Sequence, residues 1–399
     1  MDNNMLSNRY KISIDVLLLI CYVASFGLFG NGSEVAKAVK ILMLGMTVVY
    51  VLLMKRKLLN IYTGWLFVYL GYVGCSVFWS DIRDYAVSDF YSVAYAVICA
   101  LCIALAVANK EKKIRLILLL LVLLPMMRWI MFIVQTGPRA IFNLRANSEG
   151  QDYNSIGQSA VYAIVSAILL MSYSDKKKML YQLLILFNLY LIIVSGSRKC
   201  ILYLLLMWAC MRIFNSTNLV KTTIRLLIIA LVFFVGYKLA INGIFGTGLH
   251  DLLTSLQGEG SDNSVMGRLD QNQRHWELFL KKPTFGYGIG MVEWYCRTIL
   301  GQKAVVADCD YLDILVDLGF VGIVVFYGMH IYLVFKYLLN RNNWKYVDKV
   351  YFAWLIVLLV NGYICRTYFN NYFIFVYLYL IYNNISDRIK LKRINVKLR

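Results

Sequence analysis

Apolar runs of about 20 residues recur along the chain and limit its possible folds more than any other feature. A helix of ~20 apolar residues crosses the ~30 Å hydrocarbon core of a bilayer. Hydrophobic residues make up 60% of the 399 residues and charged residues only 16%, which is more apolar surface than a water-soluble domain needs. The sequence therefore predicts an all-α, polytopic transmembrane bundle.

Hydropathy predicts about 12 membrane spans in a single integral membrane domain that covers residues 1–399. The predicted spans are 12–29, 35–54, 58–78, 86–108, 114–135, 154–173, 179–195, 199–214, 222–245, 310–338, 347–366 and 368–386. A long polar segment, 246–308, is inserted between the ninth and tenth of these runs. We predict that it is an extracytoplasmic loop containing a short helix over about 268–282.

The distribution of lysine and arginine predicts the orientation of the chain. A net charge of +19 would suggest a nucleic-acid partner for a soluble protein. Here the basic residues instead cluster at the ends of spans, as in Lys55-Arg56-Lys57 and Lys176-Lys177-Lys178. Because such clusters stay on the cytoplasmic side, we predict a multi-pass protein of the cytoplasmic (inner) membrane, with both termini in the cytoplasm and no nucleic-acid partner.

With this orientation, three polar segments face outward: 136–153, the turn at 195–198, and 246–308. The outer side of a membrane protein is normally poor in arginine, yet these segments contain several. Each arginine can reach lipid headgroups or pair with a nearby acid, or it can bind an anionic ligand. For the set as a whole we favour the ligand. The candidate residues are Arg145, Ser197, Arg198, Arg268 and Arg274.

Two glycine-containing turns belong to these outer segments. In Ser195-Gly196-Ser197-Arg198 the glycine permits a sharp turn, the serines can cap the next helix, and the helix N-terminus favours anions. The run Gly286-Tyr287-Gly288-Ile289-Gly290 is not expected to bind a dinucleotide, since no strand precedes it. Its glycines would let the backbone approach a ligand or another helix.

Acidic residues gather where the long loop ends. Asp308-Cys309-Asp310 resembles a metal-binding D-x-D motif, but it lies in the wrong compartment and no further ligands complete a site, so we expect neither metal nor cofactor. Asp310, Asp313 and Asp317 share one face of the next helix. Asp308 or Asp310 is the candidate base for a sugar hydroxyl, while His250 and His275 are expected to be surface or interface residues rather than bases.

The order of these motifs resembles the O-antigen polymerase and O-antigen ligase superfamily. The motifs that carry the resemblance are Arg145 with Tyr153-Asn154-Ser155-Ile156-Gly157, Ser195-Gly196-Ser197-Arg198, Gly267-Arg268, Pro283 with the three glycines, and Asp310-Tyr311-Leu312 with Gly319 and Gly322. The resemblance implies a membrane glycosyltransferase that uses a polyprenyl-diphosphate-linked oligosaccharide as donor. Its partners would be membrane lipid, a flippase and a chain-length regulator.

The residue at position 308 distinguishes the branches of this superfamily. The ligase branch typically has a histidine near the start of the helix that follows the long loop, whereas this chain has Asp308. We therefore expect a Wzy-type polymerase of capsule, exopolysaccharide or O-antigen repeats, with ligase-type transfer or a lipid-linked oligosaccharide flippase as alternatives. The expected catalytic residues are Arg198, Arg268, Asp308 and Asp310, and the expected substrate-binding residues are Arg145, Arg274, Ser197 and Tyr311.

Overall fold

The described part of the chain is built from α-helices joined by turns. The computed structural model describes residues 60–107, 111–141, 153–173, 177–215, 263–298, 309–364 and 372–397, with a few isolated positions at 38–49 and 224. The helices are α1 (Ile61–Ser76), α2 (Arg83–Val107), α3 (Glu111–Thr136), α4 (Tyr153–Tyr173), α5 (Lys178–Ser195), α6 (Arg198–Phe214), α7 (Asn263–Lys281), α8 (Met291–Thr298), α9 (Asp310–Leu339), α10 (Tyr346–Ile364) and α11 (Tyr372–Lys397). These residues contain no strand, so the all-α prediction is confirmed.

Six of the described helices are long and apolar enough to cross a membrane. They cover Ile61–Trp79, Arg83–Leu105, Glu111–Thr136, Ser155–Tyr173, Lys178–Ser195 and Asp310–Leu339. The total of about 12 spans stays a prediction, because the runs 12–29, 35–54 and 222–245 lie outside the continuously described residues. Within the long loop, the helix predicted over 268–282 is present as α7.

The helices form two compact units. The first contains the described residues within Ile98–Leu204 and from Phe375 onward, and the second contains those within Ile61–Val97 and Leu205–Ile374. In the first unit α4 packs against both α3 and α5, and the Tyr377 hydroxyl donates to the Tyr162 carbonyl at 2.6 Å. Such internal bonds satisfy polar groups that water cannot reach inside a membrane.

Helix α9 is the centre of the second unit, and α1, α7, α8 and α10 pack against it. Side-chain donors join α9 to its neighbours by bonding to backbone carbonyls across the helix contacts. Trp65 of α1 donates from Nε1 to the Val325 carbonyl at 2.7 Å. The Tyr311 hydroxyl of α9 donates to the Leu359 carbonyl of α10 at 2.8 Å.

A break at Gly319 interrupts α9 within its membrane-spanning length. Gly319 has φ 68° and ψ −169°, a conformation that is essentially restricted to glycine. The helix would leave amides and carbonyls unsatisfied there, but segment 283–290 supplies the missing partners. The four bonds run from Phe320 N to Pro283 O (2.8 Å), from Val321 N to Thr284 O (3.2 Å), from Tyr287 N to Val316 O (2.9 Å) and from Gly288 N to Asp317 O (2.8 Å).

Replacing Gly319 with alanine is expected to destabilise the protein by about 1–3 kcal/mol, the typical cost of holding a residue in a sparsely populated backbone region. The added Cβ would also overlap the Thr284 carbonyl. Thermal unfolding of the purified protein in detergent measures this loss. Gly328→Ala is the matched control, because it lies on the same helix and its Cβ would meet nothing within 4 Å. Equal melting temperatures for the two variants would contradict the prediction.

Candidate functional site

Segment 283–290, which we call the glycine segment, is held by hydrogen bonds from its last five backbone amides. Besides the amides that bond to α9, Gly286 N donates to Lys282 O at 3.2 Å, and Ile289 N donates to Ser76 Oγ at 3.2 Å. A Cβ on Gly286 would lie 2.5 Å from the Val316 and Asp317 carbonyl oxygens. Of the two roles considered for these glycines, close approach to another helix is therefore the one that the structure shows.

Asp317 fixes the end of the glycine segment and the start of α8. Its Oδ2 accepts a hydrogen bond from Gly290 N at 3.0 Å, and its Oδ1 accepts one from Val292 N at 2.8 Å. The side chain is 0% exposed. A carboxylate that accepts amide bonds at a helix N-terminus is stabilised by those bonds and by the helix dipole. Asp317 therefore positions α8 from inside the protein.

His275 of α7 and Asp313 of α9 form a buried pair between these two helices. His275 Nε2 lies 3.5 Å from Asp313 Oδ1, and both side chains are 0% exposed. His275 therefore does not lie at the surface, one of the two locations expected for it. The burial of His275 is hard to predict from the residues beside it, because Arg274 and Trp276 are partly or largely exposed.

The contacts of His275 indicate which ring nitrogen carries a proton. His275 Nδ1 lies 2.6 Å from the Gln271 carbonyl, and since a carbonyl only accepts, Nδ1 carries a proton. Nε2 then faces the Asp313 carboxyl group. The imidazole and the carboxyl group thus lie side by side in a buried position, where an ionisable group is costly unless other groups compensate its charge.

The second unit brings together four of the residues expected from the sequence. Arg268 and Arg274 lie on α7, while Asp310 and Tyr311 begin α9. Asp310 is only 1% exposed, and the ring of Tyr311 stacks on Tyr327 with centroids 4.6 Å apart. Arg274 is half-buried. The packing of α7 on α9 thus places an arginine-bearing helix beside the helix that starts with Asp310.

The turn that contains Ser197 belongs to the first unit. Gly196 ends α5 in a left-handed conformation with φ 62°, and Ser197 is buried. A Cβ on Gly157 would lie 2.5 Å from Ser195 Oγ and 3.3 Å from Ser197 Cβ. The glycine near the start of α4 therefore lets this turn pack closely, which joins two motifs that are far apart in sequence.

Several expected residues cannot be placed. Arg145 and Asp308 lie outside the described residues, as do the side chains of Arg198 and Arg268. The convergence of Ser197 and Arg198 with Arg268 stays a prediction. Within the described residues, no group of three His, Cys, Asp or Glu side chains is arranged to hold a metal ion.

A cluster that the sequence did not suggest lies at the connection between α1 and α2. Asp81 accepts hydrogen bonds from Lys282 Nζ at 3.2 and 3.4 Å and from the Tyr295 hydroxyl. Partial burial, the bond to Asp81 and the charge of Asp81 raise the pKa of Tyr295. Burial and then the same charge raise the pKa of Tyr287. Nothing in the sequence distinguished Asp81, which lies in a short connection between the predicted spans 58–78 and 86–108.

Comparison with known families identifies the region that contains these features. Residues 183–327 match the family model for O-antigen ligase, from α5 to the middle of α9. Over these residues the chain is similar to the O-antigen ligase and polymerase superfamily. No curated protein matches the chain.

This similarity agrees with the apolar helices of the structure. The chain is a multi-pass membrane protein, with several helices that are apolar enough to cross a membrane. The matched region includes the turn at Ser197, helix α7, the glycine segment and the buried carboxylates of α9. The part of the chain that resembles the superfamily is therefore also the part in which the loop helices are fixed to a membrane span.

Replacing His275 with leucine is expected to lower the free energy of unfolding by about 3–5 kcal/mol, because it removes the polar side chain that faces the buried Asp313 carboxyl group. The double variant His275→Leu/Asp313→Leu should lose clearly less than the sum of the two single variants, since it removes both polar groups. Chemical unfolding of the purified proteins gives the coupling energy. Glu277→Leu, at an exposed position on α7, is the control. Additive losses would show that the two side chains do not act as a pair.

Proposed function

We propose that this protein is a Wzy-type polymerase, which joins polyprenyl-diphosphate-linked oligosaccharide repeats into a surface polysaccharide such as capsule, exopolysaccharide or O-antigen. The observation that carries the choice of polymerase over ligase is Asp308, which occupies the position of the histidine typical of the ligase branch. The family match over residues 183–327 supports the lipid-linked glycan as substrate.

In the proposed reaction, a hydroxyl of the terminal sugar on one lipid-linked repeat attacks the anomeric carbon of another. The bond between that carbon and the diphosphate oxygen breaks, and the lipid diphosphate leaves with the electron pair. The hydroxyl proton passes to a carboxylate acting as general base. Arg198 and Arg268, with Arg145, would bind the diphosphate, because bidentate guanidinium groups neutralise the charge that develops on it.

The burial of Asp310 favours Asp308 as the base. A general base must come within hydrogen-bond distance of the proton it accepts, and Asp310 is only 1% exposed. Asp310 would then support the site from within, beside Tyr311. Arg274 and Ser197 remain candidate contacts for the substrate.

The contact between α7 and α9 supports this arrangement physically. Arginine side chains are long and lose rotamer freedom when they bind, so a helix that is already anchored reduces the cost of aligning them. His275 and Asp313 anchor α7 at a point between Arg268 and the start of α8. We infer that this buried pair keeps Arg268 and Arg274 at a constant distance from the start of α9.

Deletion of the gene is expected to remove the length ladder of the surface polysaccharide on a gel and to leave a single repeat. The single repeat should accumulate on its lipid carrier at the outer leaflet, because synthesis and transport across the membrane continue without polymerisation. Accumulation at the inner leaflet would instead indicate a flippase. A normal ladder on the lipid carrier, with no transfer to its final acceptor, would indicate a ligase.

Arg198→Ala and Arg268→Ala are each expected to reduce polymer yield about 100-fold, the usual scale for loss of one group that stabilises developing charge. The gel assay is run in cells whose protein levels are matched by immunoblot. Arg212→Ala is the control, because Arg212 lies at the opposite end of α6 from Arg198, with its guanidinium 5.5 Å from the Trp208 ring. If both site variants gave normal polymer length and yield, the assignment of the diphosphate site would be wrong.

A further inference from the structure

The carboxylate of Asp81 is exposed to solvent, unlike the carboxylates on α9. The side chains of Asp81 and Lys282 are 35% and 44% exposed, whereas Asp310, Asp313 and Asp317 are almost completely buried. Asp81 can therefore contact a solvent-borne ligand without any rearrangement of the protein.

The charged pair lies among aromatic rings. Lys282 Nζ lies 4.4 Å from the centroid of the Tyr287 ring. Tyr295 packs edge-on against Tyr287 at 4.8 Å and against Trp294 at 5.1 Å. Tyr295 and Trp294 are both partly exposed. The Asp81 carboxylate is thus bordered by an aromatic surface that carries a hydroxyl.

A second aromatic surface lies on the α1 side of Asp81. Trp79 donates from Nε1 to the Phe285 carbonyl at 3.3 Å, and the two rings are 6.0 Å apart. Phe285 is 54% exposed. Because Phe285 belongs to the glycine segment, the bonds that fix this segment to α9 also fix one side of the cluster.

The remaining hydrogen-bonding capacity of the pair is suited to hydroxyl groups. An ionised carboxylate has about four acceptor positions and an ammonium group three donors. The contacts among Asp81, Lys282 and Tyr295 use only part of that capacity. Sugars present hydroxyl groups around the rim of the ring and apolar C–H groups on its faces, so donors, acceptors and aromatic rings at one place match their chemistry.

We propose that Asp81, Lys282 and Tyr295, together with the partly exposed rings of Trp79, Phe285 and Trp294, form a subsite for a sugar residue of the glycan. This inference rests on the proposed function, because it assigns the subsite to the oligosaccharide that the polymerase extends. Asp81 and Lys282 bind and orient sugar hydroxyls, and the rings pack against the faces of the sugar. These residues act in positioning and take no part in bond formation.

Direct binding of a lipid-free oligosaccharide tests the subsite separately from polymerisation. The probe is the oligosaccharide released by partial acid hydrolysis from the surface polysaccharide of the producing strain. It is titrated into the purified full-length protein in nanodiscs, with calorimetry for the dissociation constant and saturation-transfer NMR for contact. We expect Asp81→Asn to weaken binding about tenfold, the change expected for one charge-assisted hydrogen bond.

Two further variants identify the groups involved. Tyr295→Phe keeps the ring and removes only the hydroxyl that bonds to Asp81, so it should weaken binding by a smaller factor while leaving the melting temperature unchanged. Asp84→Asn, at an exposed position three residues from Asp81, should bind like the original protein. Dextran fragments of equal length serve as the control saccharide.

The outcomes separate this inference from the proposed function. If the original protein does not bind the oligosaccharide, or if Asp81→Asn and Tyr295→Phe both bind it normally, the subsite is wrong, even when the deletion strain loses its polymer ladder. An equal loss on Asp84→Asn would also overturn it, because that points to general surface charge. A deletion strain with a normal ladder would overturn the proposed function, whatever the binding result.

Discussion

The requirement that every backbone polar group be bonded inside a membrane controls the architecture of the second unit. Each unsatisfied group in hydrocarbon costs several kcal/mol, so a membrane helix can be broken only where other groups replace the lost bonds. Helix α9 is broken at Gly319, and the glycine segment supplies the replacements. The long polar loop is therefore tied to the span at this segment, and the break and the segment that satisfies it depend on each other.

The attachment of the loop to α9 also explains why α9 carries three buried carboxylates. Asp317 caps α8, and Asp313 pairs with His275 of α7, so two of the three acids hold loop helices in place. A buried carboxylate is costly unless it is paired, and here the partners come from the loop itself. The polar face of α9 thus serves mainly to position the elements that carry arginine.

Features that depend on neighbouring residues could be predicted from the sequence, whereas features that depend on residues far apart along the chain could not. Hydropathy is local, so the predicted span 154–173 agrees with α4 (Tyr153–Tyr173) within one residue. The turn after Ser195 and the helix in the long loop were likewise predicted from neighbouring residues. The burial of His275 and the role of Asp81 were missed, because they depend on α9 and on Lys282, which lies 201 residues after Asp81. No periodicity in a single sequence records such pairings.

The same distinction decides what substitutions in this region can reveal. Removing Asp313 or Asp317 disturbs the packing of α7 or α8, so a loss of activity would follow whether or not the carboxylate meets the glycan. Asp81 differs, because it is exposed and its bonds to Lys282 and Tyr295 lie at the surface, where ion pairs contribute little to stability. A loss of glycan binding on its substitution therefore reports recognition rather than folding. Among these carboxylates, Asp81 is therefore the one whose role in binding can be tested without disturbing the fold.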